Sequence, residues 1–245
     1  MSPRTALALG AAAGAVALAQ LAPSVASLGQ WTSLRHMGRV TWRGEGPGVA
    51  FTFDDGPSPD ATPALLDRLD ELDWPATFFC LGAAVDRHPQ VVREIAARGH
   101  QIGTHGYEHR HHLGAGPRWI AADLDRALAS LQGVGVRPHW FRPPYGQIST
   151  GTVAASRRRG LRLALWSAWG REWALPDAAA VISSVRAGLA PGAVVLLHDS
   201  DMSSPPGSAR RALNALGPLC EDVVAAGLVP MTLDRLCTGP SSAAG

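Results

Sequence analysis

The most informative stretch of this sequence is VAFTFDDGP, residues Val49–Pro57. Its apolar, aromatic and β-branched residues, bounded by Gly and Pro, predict a buried strand over Val49–Asp54. Gly56-Pro57 ends that strand at once, because proline has no N–H to donate to a strand ladder. Asp54 and Asp55 therefore lie at an irregular strand end, where both carboxylates can face one site although neighbours on a regular strand point to opposite faces.

Outward from this stretch, short β-rich runs alternate with longer helical patterns. Further strands are predicted over Ala76–Leu81, Gln101–His105, Trp140–Arg142, Arg162–Ser167, Ala193–His198 and Leu228–Leu233. Helices are predicted over Asp60–Leu72, Val85–Arg98, Arg118–Leu131, Thr152–Arg159, Asp177–Leu189 and Ser208–Ala226. Strands separated by helices, without a hairpin turn, predict an α/β fold with a parallel sheet and helices outside it, either closed as a barrel or open and doubly wound.

Chemically capable side chains follow five of the predicted strands. They are Asp54 and Asp55, His105 and His109, Arg142 to Tyr145, Glu172 and Trp173, and His198 and Asp199. In a barrel the carboxyl ends of the strands converge on one face, which is where such enzymes place their chemistry. The placement therefore predicts one shared active site.

Two imidazoles and a carboxylate within this set match a metal site. His105 and His109 are four positions apart after a strand, and with Asp55 they form a set of two histidines and one carboxylate that leaves a position open for water. His111 and His112 are alternative ligands in the same tract. A pair of acids for glycoside cleavage is less favoured, because that chemistry does not need histidines.

The composition describes an ordinary globular protein. The chain has 245 residues, 46% of them hydrophobic and 17% charged, with a net charge of +2, which argues against disorder. The arginines are scattered and nearly balanced by acids, so we expect no nucleic-acid partner. The 3 cysteines lack the spacing of a zinc ribbon or a disulfide framework, and the pairing of Cys220 with Cys237 stays open.

The N-terminus carries the one strong shift in composition. Thr5–Leu21 is almost entirely Ala, Leu, Gly and Val, and small residues follow at Ser24–Ala26. We expect residues 1–28 to be a signal peptide or a membrane anchor, which makes the protein extracytoplasmic, either secreted or anchored. An Ala-rich helix packed on the domain, in a cytoplasmic protein, is the alternative. For the rest of the chain we predict a linker at 29–47, a catalytic domain at 48–238 and a C-terminal tail at 239–245.

Four ordered motifs resemble those of the metal-dependent polysaccharide deacetylases, relatives of the chitooligosaccharide deacetylases. They are Thr52-Phe53-Asp54-Asp55-Gly56-Pro57, His105-Gly106-Tyr107-Glu108-His109, Arg142-Pro143-Pro144-Tyr145 and Leu196-Leu197-His198-Asp199. The similarity extends from about Val49 to Leu236. It implies a distorted (β/α)7 barrel and the hydrolysis of an N-acetyl or O-acetyl group on a sugar or polysaccharide.

The resemblance also implies roles for individual residues. Asp55, His105 and His109 would hold one divalent metal ion, with zinc favoured over cobalt, manganese or nickel. Asp54 would be the general base, oriented by Arg142, and His198 the general acid, oriented by Glu172. The remaining site residues would contact the acetylated glycan or amino sugar: a backbone N–H near Tyr145 would hold the oxyanion, Leu196 and Trp173 would enclose the acetyl methyl, and Trp169 would stack on a sugar face.

Two positions depart from the family pattern. Gly106 stands where Ser or Thr is usual, which predicts the loss of one hydrogen bond beside the metal ligands. Trp169 and Glu172 stand where two aspartates are usual, so a carboxylate remains only at Glu172. The loop that contains Trp169 and Glu172 borders the position expected for the sugar. These two substitutions therefore affect the expected substrate class more than the expected hydrolytic reaction.

Three functions from different classes follow from these residues. The first is a metal-dependent carbohydrate deacetylase. The second is an amidase of the same superfamily that acts on a small non-sugar amide, and the third is an inactive barrel that binds glycans. The presence of Asp54, His105, His109, Arg142 and His198 argues against the third.

Overall fold

A computed structural model of the protein describes residues 40–238. The predicted signal peptide or anchor at 1–28 and the predicted tail at 239–245 lie outside the described residues. The strands are β1 Val40–Thr41, β2 Gly48–Asp54, β3 Ala76–Cys80, β4 Gln101–Thr104, β5 Trp140–Phe141, β6 Arg162–Ala164, β7 Ala168–Trp169, β8 Val194–His198 and β9 Val229–Pro230. The helices are α1 Ala61–Glu71, α2 Gly82–Arg87, α3 Pro89–Ala97, α4 Pro117–Gly133, α5 Thr150–Arg158, α6 Ala178–Arg186, α7 Ser208–Ala225 and α8 Leu233–Thr238.

The strands form one curled parallel sheet in the order β1-β6-β5-β4-β3-β2-β8-β7, with β9 beside β2. The stretch that opens the motif series, β2, lies between β3 and β8 and is buried along its whole length. A strand covered on both faces needs apolar residues on both, which explains its near-continuous hydrophobic sequence. The predicted parallel sheet with outer helices is confirmed, and the strand order leaves β7 and β1 as its two edges.

Alternation along β2 divides the core into an outer and an inner part. Phe51 and Phe53 pack outward with the residues of the surrounding helices. Ala50 points inward, where it joins a cluster that includes Phe79 and Trp140, and Leu233 of α8 closes this cluster. Asp54 has the same parity as Ala50, so the pleat places its carboxylate at the carboxyl end of the sheet interior.

Three predicted elements differ from the structure. The helix predicted over Val85–Arg98 is two helices, α2 and α3, because Pro89 lacks an N–H and disfavours the helical conformation at His88, which has φ −132° and ψ 53°. The strand predicted over Leu228–Leu233 pairs only through Val229–Pro230, and Leu233 begins α8 instead. Arg162–Ser167 forms a strand only over β6, since the chain leaves the ladder before it re-enters as β7.

The described chain joins the sheet earlier than predicted. Val40–Thr41 pairs in parallel with Leu163 and Ala164, within the segment 29–47 that was predicted to be a linker. A two-residue strand lies below the length at which sequence alternation is detectable, so only its tertiary partner identifies it. Part of that segment therefore belongs to the domain.

The structure also shows the state of the three cysteines and the length and polarity of the helices. Cys80 is a buried free thiol, as its apolar context predicted, and Cys220 and Cys237, whose pairing was open, are also free. Within residues 40–238, none of the helices is both long enough and apolar enough to span a bilayer.

Candidate active site

A cavity of about 310 Å³ opens at the carboxyl ends of the strands. The predicted site residues that line it come from five strand ends and their loops: Asp54, His105, His109, Tyr145, Trp169, Trp173, Leu196 and His198. Gly146, Trp166, Ser203 and Ser204 complete the wall. The convergence predicted from the sequence therefore exists in three dimensions.

Asp55, His105 and His109 bring their ligand atoms to within 4.8 Å of one another. Asp55 Oδ1 lies 3.4 Å from His105 Nε2 and 3.3 Å from His109 Nε2. Although it is buried, this oxygen accepts no hydrogen bond. A buried carboxylate oxygen that faces two imidazole nitrogens and lacks a donor fits a divalent cation, which prefers these ligand types and leaves such a set with an open position.

The backbone at Asp55 explains why two adjacent acids serve one site. Asp55 has φ 77°, a left-handed conformation that is uncommon for a residue other than glycine. This turn breaks the alternation of β2, so Asp55 reaches the two histidines while Asp54 also stays at the cavity. Burial opposes ionisation of Asp55, but the charges of the nearby histidines, His105 first among them, outweigh it and hold the Asp55 pKa below its ordinary value.

His105 is held by the backbone beyond the neighbouring strand. Its Nδ1 lies 2.7 Å from the carbonyl oxygen of Arg142, so Nδ1–H donates there and Nε2 keeps its lone pair for the site. Gly106 follows with φ 85°, and a Cβ there would lie 2.9 Å from Asp123 Oδ2. The serine or threonine usual in the family would be strained here, while the Arg142 carbonyl fixes the His105 ring independently of residue 106.

The three histidines that follow His105 have separate environments. Burial, together with the charge of His105, lowers the His109 pKa to about 4, which favours the neutral imidazole that a metal requires. His111 is exposed and stacks on Tyr145, with ring centroids 3.8 Å apart. His112 is buried and lies 3.0 Å from Thr152 Oγ1 through Nδ1. Among these three, only His109 joins the metal group.

Arg142 is fully buried beside Asp54, so the two form an interior ion pair. Its Nη1 donates to Asp54 Oδ1 at 2.8 Å and to Thr52 Oγ1 at 2.8 Å, and its Nη2 donates to the Leu165 carbonyl at 2.9 Å. These bonds hold one carboxylate oxygen of Asp54. The other, Oδ2, lies 3.8 Å from His105 Nε2, on the side of the metal group.

His198 lies across the cavity and is bound to Glu172. Glu172 is fully buried; its Oε1 accepts the backbone N–H of His198 at 3.0 Å, and its Oε2 lies 3.3 Å from His198 Nδ1. Burial alone would lower the His198 pKa, but the hydrogen bond and charge of Glu172 raise it to about 9. Asp54 and His198 are paired residues on the adjacent strands β2 and β8.

A row of tryptophans forms the wall beside His198. Trp173 packs edge-on against the His198 ring at 5.1 Å, Trp169 lies 5.1 Å from Trp173, and Trp166 lies 5.4 Å from Trp169. Trp169 is 37% exposed and Tyr145, on another part of the cavity wall, is 49% exposed. Leu196 is buried on β8 and lines the same cavity. These surfaces are open to a ligand of sugar size.

The sequence missed three residues that shape this site. Thr52 holds Arg142, Trp166 extends the aromatic row, and the Ser203 hydroxyl donates to Asp55 Oδ2. Thr52 is two positions before Asp54 on β2, so the alternation of the strand placed both side chains on the same face. This spacing was the only sequence signal that could have identified Thr52. Ser203 comes from a polar loop whose path no local pattern specifies.

Asp199 is buried next to the turn that follows Asp55. Its Oδ2 accepts the Thr62 hydroxyl at 2.6 Å, and a Cβ on Gly56 would overlap its carboxylate. Burial raises the Asp199 pKa to about 7. This side chain supports the turn after Asp55 and is separate from the Glu172–His198 pair.

Comparison with known proteins agrees with this geometry. Residues 43–164 match the family model described as polysaccharide deacetylase. A chitooligosaccharide deacetylase from Bradyrhizobium sp. is 36% identical over 169 residues, which cover 68% of this chain and 76% of that protein. A peptidoglycan-N-acetylglucosamine deacetylase from Bacillus cereus is 34% identical over 173 residues, covering 68% of this chain and 80% of that protein.

A solved structure confirms the architecture. The crystal structure of a peptidoglycan N-acetylglucosamine deacetylase, bound to a naphthalenyl N-hydroxybenzamide, superposes with a TM-score of 0.79 and is 28% identical. The superposition covers 86% of this chain and 100% of that one. The distorted barrel expected from the motifs is therefore the observed fold.

Proposed function

The chain belongs to the polysaccharide deacetylase family, and we propose that it hydrolyses the acetamide of N-acetylglucosamine units in an oligosaccharide or polysaccharide with the help of one divalent metal ion. Both relatives compared above carry names of deacetylases that act on acetylated amino sugars. Zinc is the proposed metal, because two imidazoles and one carboxylate suit it.

The observation that carries the proposal is the unpartnered Asp55 Oδ1 between two imidazoles, both of which line the cavity. When bound to Asp55, His105 and His109, a divalent cation supplies Lewis acidity, which lowers the pKa of water towards neutrality and polarises a carbonyl. The chain's own residues then account for the proton transfers. These transfers need one acceptor and one donor on different sides of the scissile bond.

Asp54 is the proposed proton acceptor. Arg142 engages Oδ1, so Oδ2 is left to take the proton of the water that attacks the acetyl carbonyl. The buried guanidinium, which also donates to Thr52, restrains this carboxylate. The backbone N–H of Tyr145, in a turn where this residue has φ 59°, is the proposed donor to the oxyanion.

His198 is the proposed proton donor. Glu172 holds Nδ1, so Nε2 is the nitrogen that gives its proton to the departing amine. A pKa of about 9 keeps the imidazolium populated at neutral pH, which a general acid requires. Trp173 packs against this ring, and Trp173 with Leu196 forms the apolar surface proposed for the acetyl methyl.

A substrate comparison tests the proposal. Purified full-length protein with zinc is incubated with N-acetylglucosamine oligomers, peptidoglycan fragments, O-acetylated xylan and small aliphatic acetamides, and released acetate is measured. We expect release from the N-acetylated glycans. Release only from small amides would instead establish an amidase, and glycan binding without acetate release from any substrate would establish an inactive binding barrel.

We also propose an extracytoplasmic location, which rests on the apolar composition of Thr5–Leu21. The mass of the protein isolated from its host tests this. Loss of about the first 26 to 28 residues would indicate a cleaved signal, and full length in the membrane fraction an anchor. Full-length protein in the cytoplasmic fraction would contradict the proposal.

A further inference from the structure

One hydrogen bond joins the metal group to a loop that the family motifs do not include. Ser203 lies in the segment between β8 and α7, 148 positions from Asp55, and its hydroxyl donates to Asp55 Oδ2. Ser203 also lines the cavity, while the residue as a whole is exposed at the cavity mouth. The contact therefore connects an exposed loop to a buried carboxylate.

Asp55 is a candidate ligand whose side-chain orientation depends on support from another segment of the chain. Its backbone is in the left-handed region, and its neighbour Gly56 has no side chain that could brace it. Because Ser203 engages Oδ2, the carboxylate is held with Oδ1 towards His105 and His109. Without that bond, the carboxylate is free to turn about its Cβ–Cγ bond, and Oδ1 is no longer held in line with the two imidazole nitrogens.

The loop that carries Ser203 is itself anchored. Asp201 Oδ2 accepts the N–H of Gly207 at 2.6 Å, and its Oδ1 accepts the N–H of Ala209 at 2.7 Å. The N–H of Ser204 donates to the carbonyl of Asp201 at 3.1 Å. These bonds attach the segment to the start of α7, so the Ser203 hydroxyl is presented from a fixed backbone.

We propose that Ser203 is a positioning residue that orients the Asp55 carboxylate for metal binding, with the Asp201 turn holding Ser203 in place. The inference rests on the metal site proposed above. Groups that hydrogen-bond to a metal ligand typically change metal affinity by about 10- to 100-fold when they are removed. Because Ser203 is exposed as a residue and its hydrogen bond is only partly buried, we expect an effect at the lower end of that range.

The test measures zinc affinity of the metal-free full-length protein by competition with a chromogenic chelator. We expect Ser203→Ala to bind zinc about tenfold more weakly, Ser203→Thr to retain most of the affinity through its hydroxyl, and Ser204→Ala to bind as the wild type does. Ser204 is the matched control, because it is adjacent and lines the same cavity without a bond to Asp55. Thermal unfolding of the metal-free variants checks that each is folded.

Unchanged or tighter zinc binding in Ser203→Ala would overturn the proposal, as would an equal loss in Ser204→Ala. His105→Ala separates this failure from failure of the metal site. If His105→Ala loses zinc while Ser203→Ala does not, the metal site stands and the role of Ser203 is wrong. If the wild type binds no zinc, both fail together.

A double-mutant cycle tests the part assigned to the loop. Asp201→Ala should weaken zinc binding in the wild-type background and have little further effect in the Ser203→Ala background, because both changes remove the same support. Additive losses would contradict an action of Asp201 through Ser203.

Discussion

The metal side of the cavity, formed by Asp55, His105 and His109, and the acid side, formed by Glu172 and His198, are held in different ways. On the metal side the ligand atoms face one another, and the Asp55 oxygen between the imidazoles accepts no hydrogen bond. On the acid side Glu172 makes two contacts with His198, one to its backbone N–H and one to its ring. One side is arranged to receive a cation, and the other is already paired.

The two sides also differ in their relation to known proteins. Asp55, His105 and His109 fall within residues 43–164, which match the polysaccharide deacetylase family model, whereas Glu172 and His198 fall beyond that range. The acid side also carries Glu172 and Trp169 where the family usually has aspartates. The family model therefore covers the metal side, and the acid side combines a histidine in a family-like motif with two substitutions at Glu172 and Trp169.

The largest effect is expected on the metal side. His105→Ala or His109→Ala should lose the metal and reduce acetate release to the level of metal-free protein, since each removes one of three ligands. Metal content measured on the purified variants checks this. His111→Ala is the matched control and should keep its metal, because His111 stacks on Tyr145 outside the ligand group. Metal loss in His111→Ala alone would reverse the ligand assignment.

A second prediction separates the adjacent acids. Asp54→Asn should retain the metal and lose turnover by about 10²- to 10⁴-fold, the contribution of a general base. Asp55→Asn should instead weaken metal binding. Metal content and single-turnover rates are measured on both variants. Equal metal occupancy and equal rates in the two would mean that neither role is correct.

The third prediction concerns the acid side and its pH dependence. His198 must be protonated to donate, so the rate should fall as the pH rises through the His198 pKa of about 9. Glu172→Gln removes the charge that raises this pKa, and the alkaline limb of the rate profile should move to lower pH. His198→Ala should remove that limb. An unchanged limb in Glu172→Gln would show that another group controls the profile.

The smallest effect is expected at Trp169, the exposed member of the aromatic wall. Trp169→Ala should raise KM by a few-fold to about tenfold and leave kcat nearly unchanged, because stacking on an exposed ring contributes to binding alone. Trp169→Phe keeps a ring and should fall between this variant and the wild type. A loss confined to kcat would indicate that Trp169 acts through Trp173 on His198.

Much of the metal side was predictable because its signals are local. A strand that ends at Gly56-Pro57 and a histidine pair four residues apart both lie within single segments. Both histidines line the cavity, and Asp55 lies beside them. The sheet was predictable for the same reason, since β2 and β8 are continuous apolar runs. A short strand such as Val40–Thr41 forms only because it pairs with residues far along the chain, and its own sequence shows no hydrophobic alternation that would predict it.

The supports of the site were less predictable. The carbonyl of Arg142 fixes His105 across 37 positions of sequence, and the carbonyl group occurs in every residue type. The Ser203 hydroxyl reaches Asp55 through a loop whose path is set by Asp201 and the start of α7. Such contacts are determined by tertiary packing, so the sequence indicated which groups react and left open what holds them.

We propose above that the Asp55–His105–His109 group holds a divalent metal that the hydrolysis requires. The direct measurement is acetate release from an N-acetylglucosamine oligomer before chelation, after chelation with metal content verified, and after zinc is restored. We predict that activity is lost with the metal and returns as about one zinc per chain is bound. Full activity in protein verified to contain no metal would contradict the account.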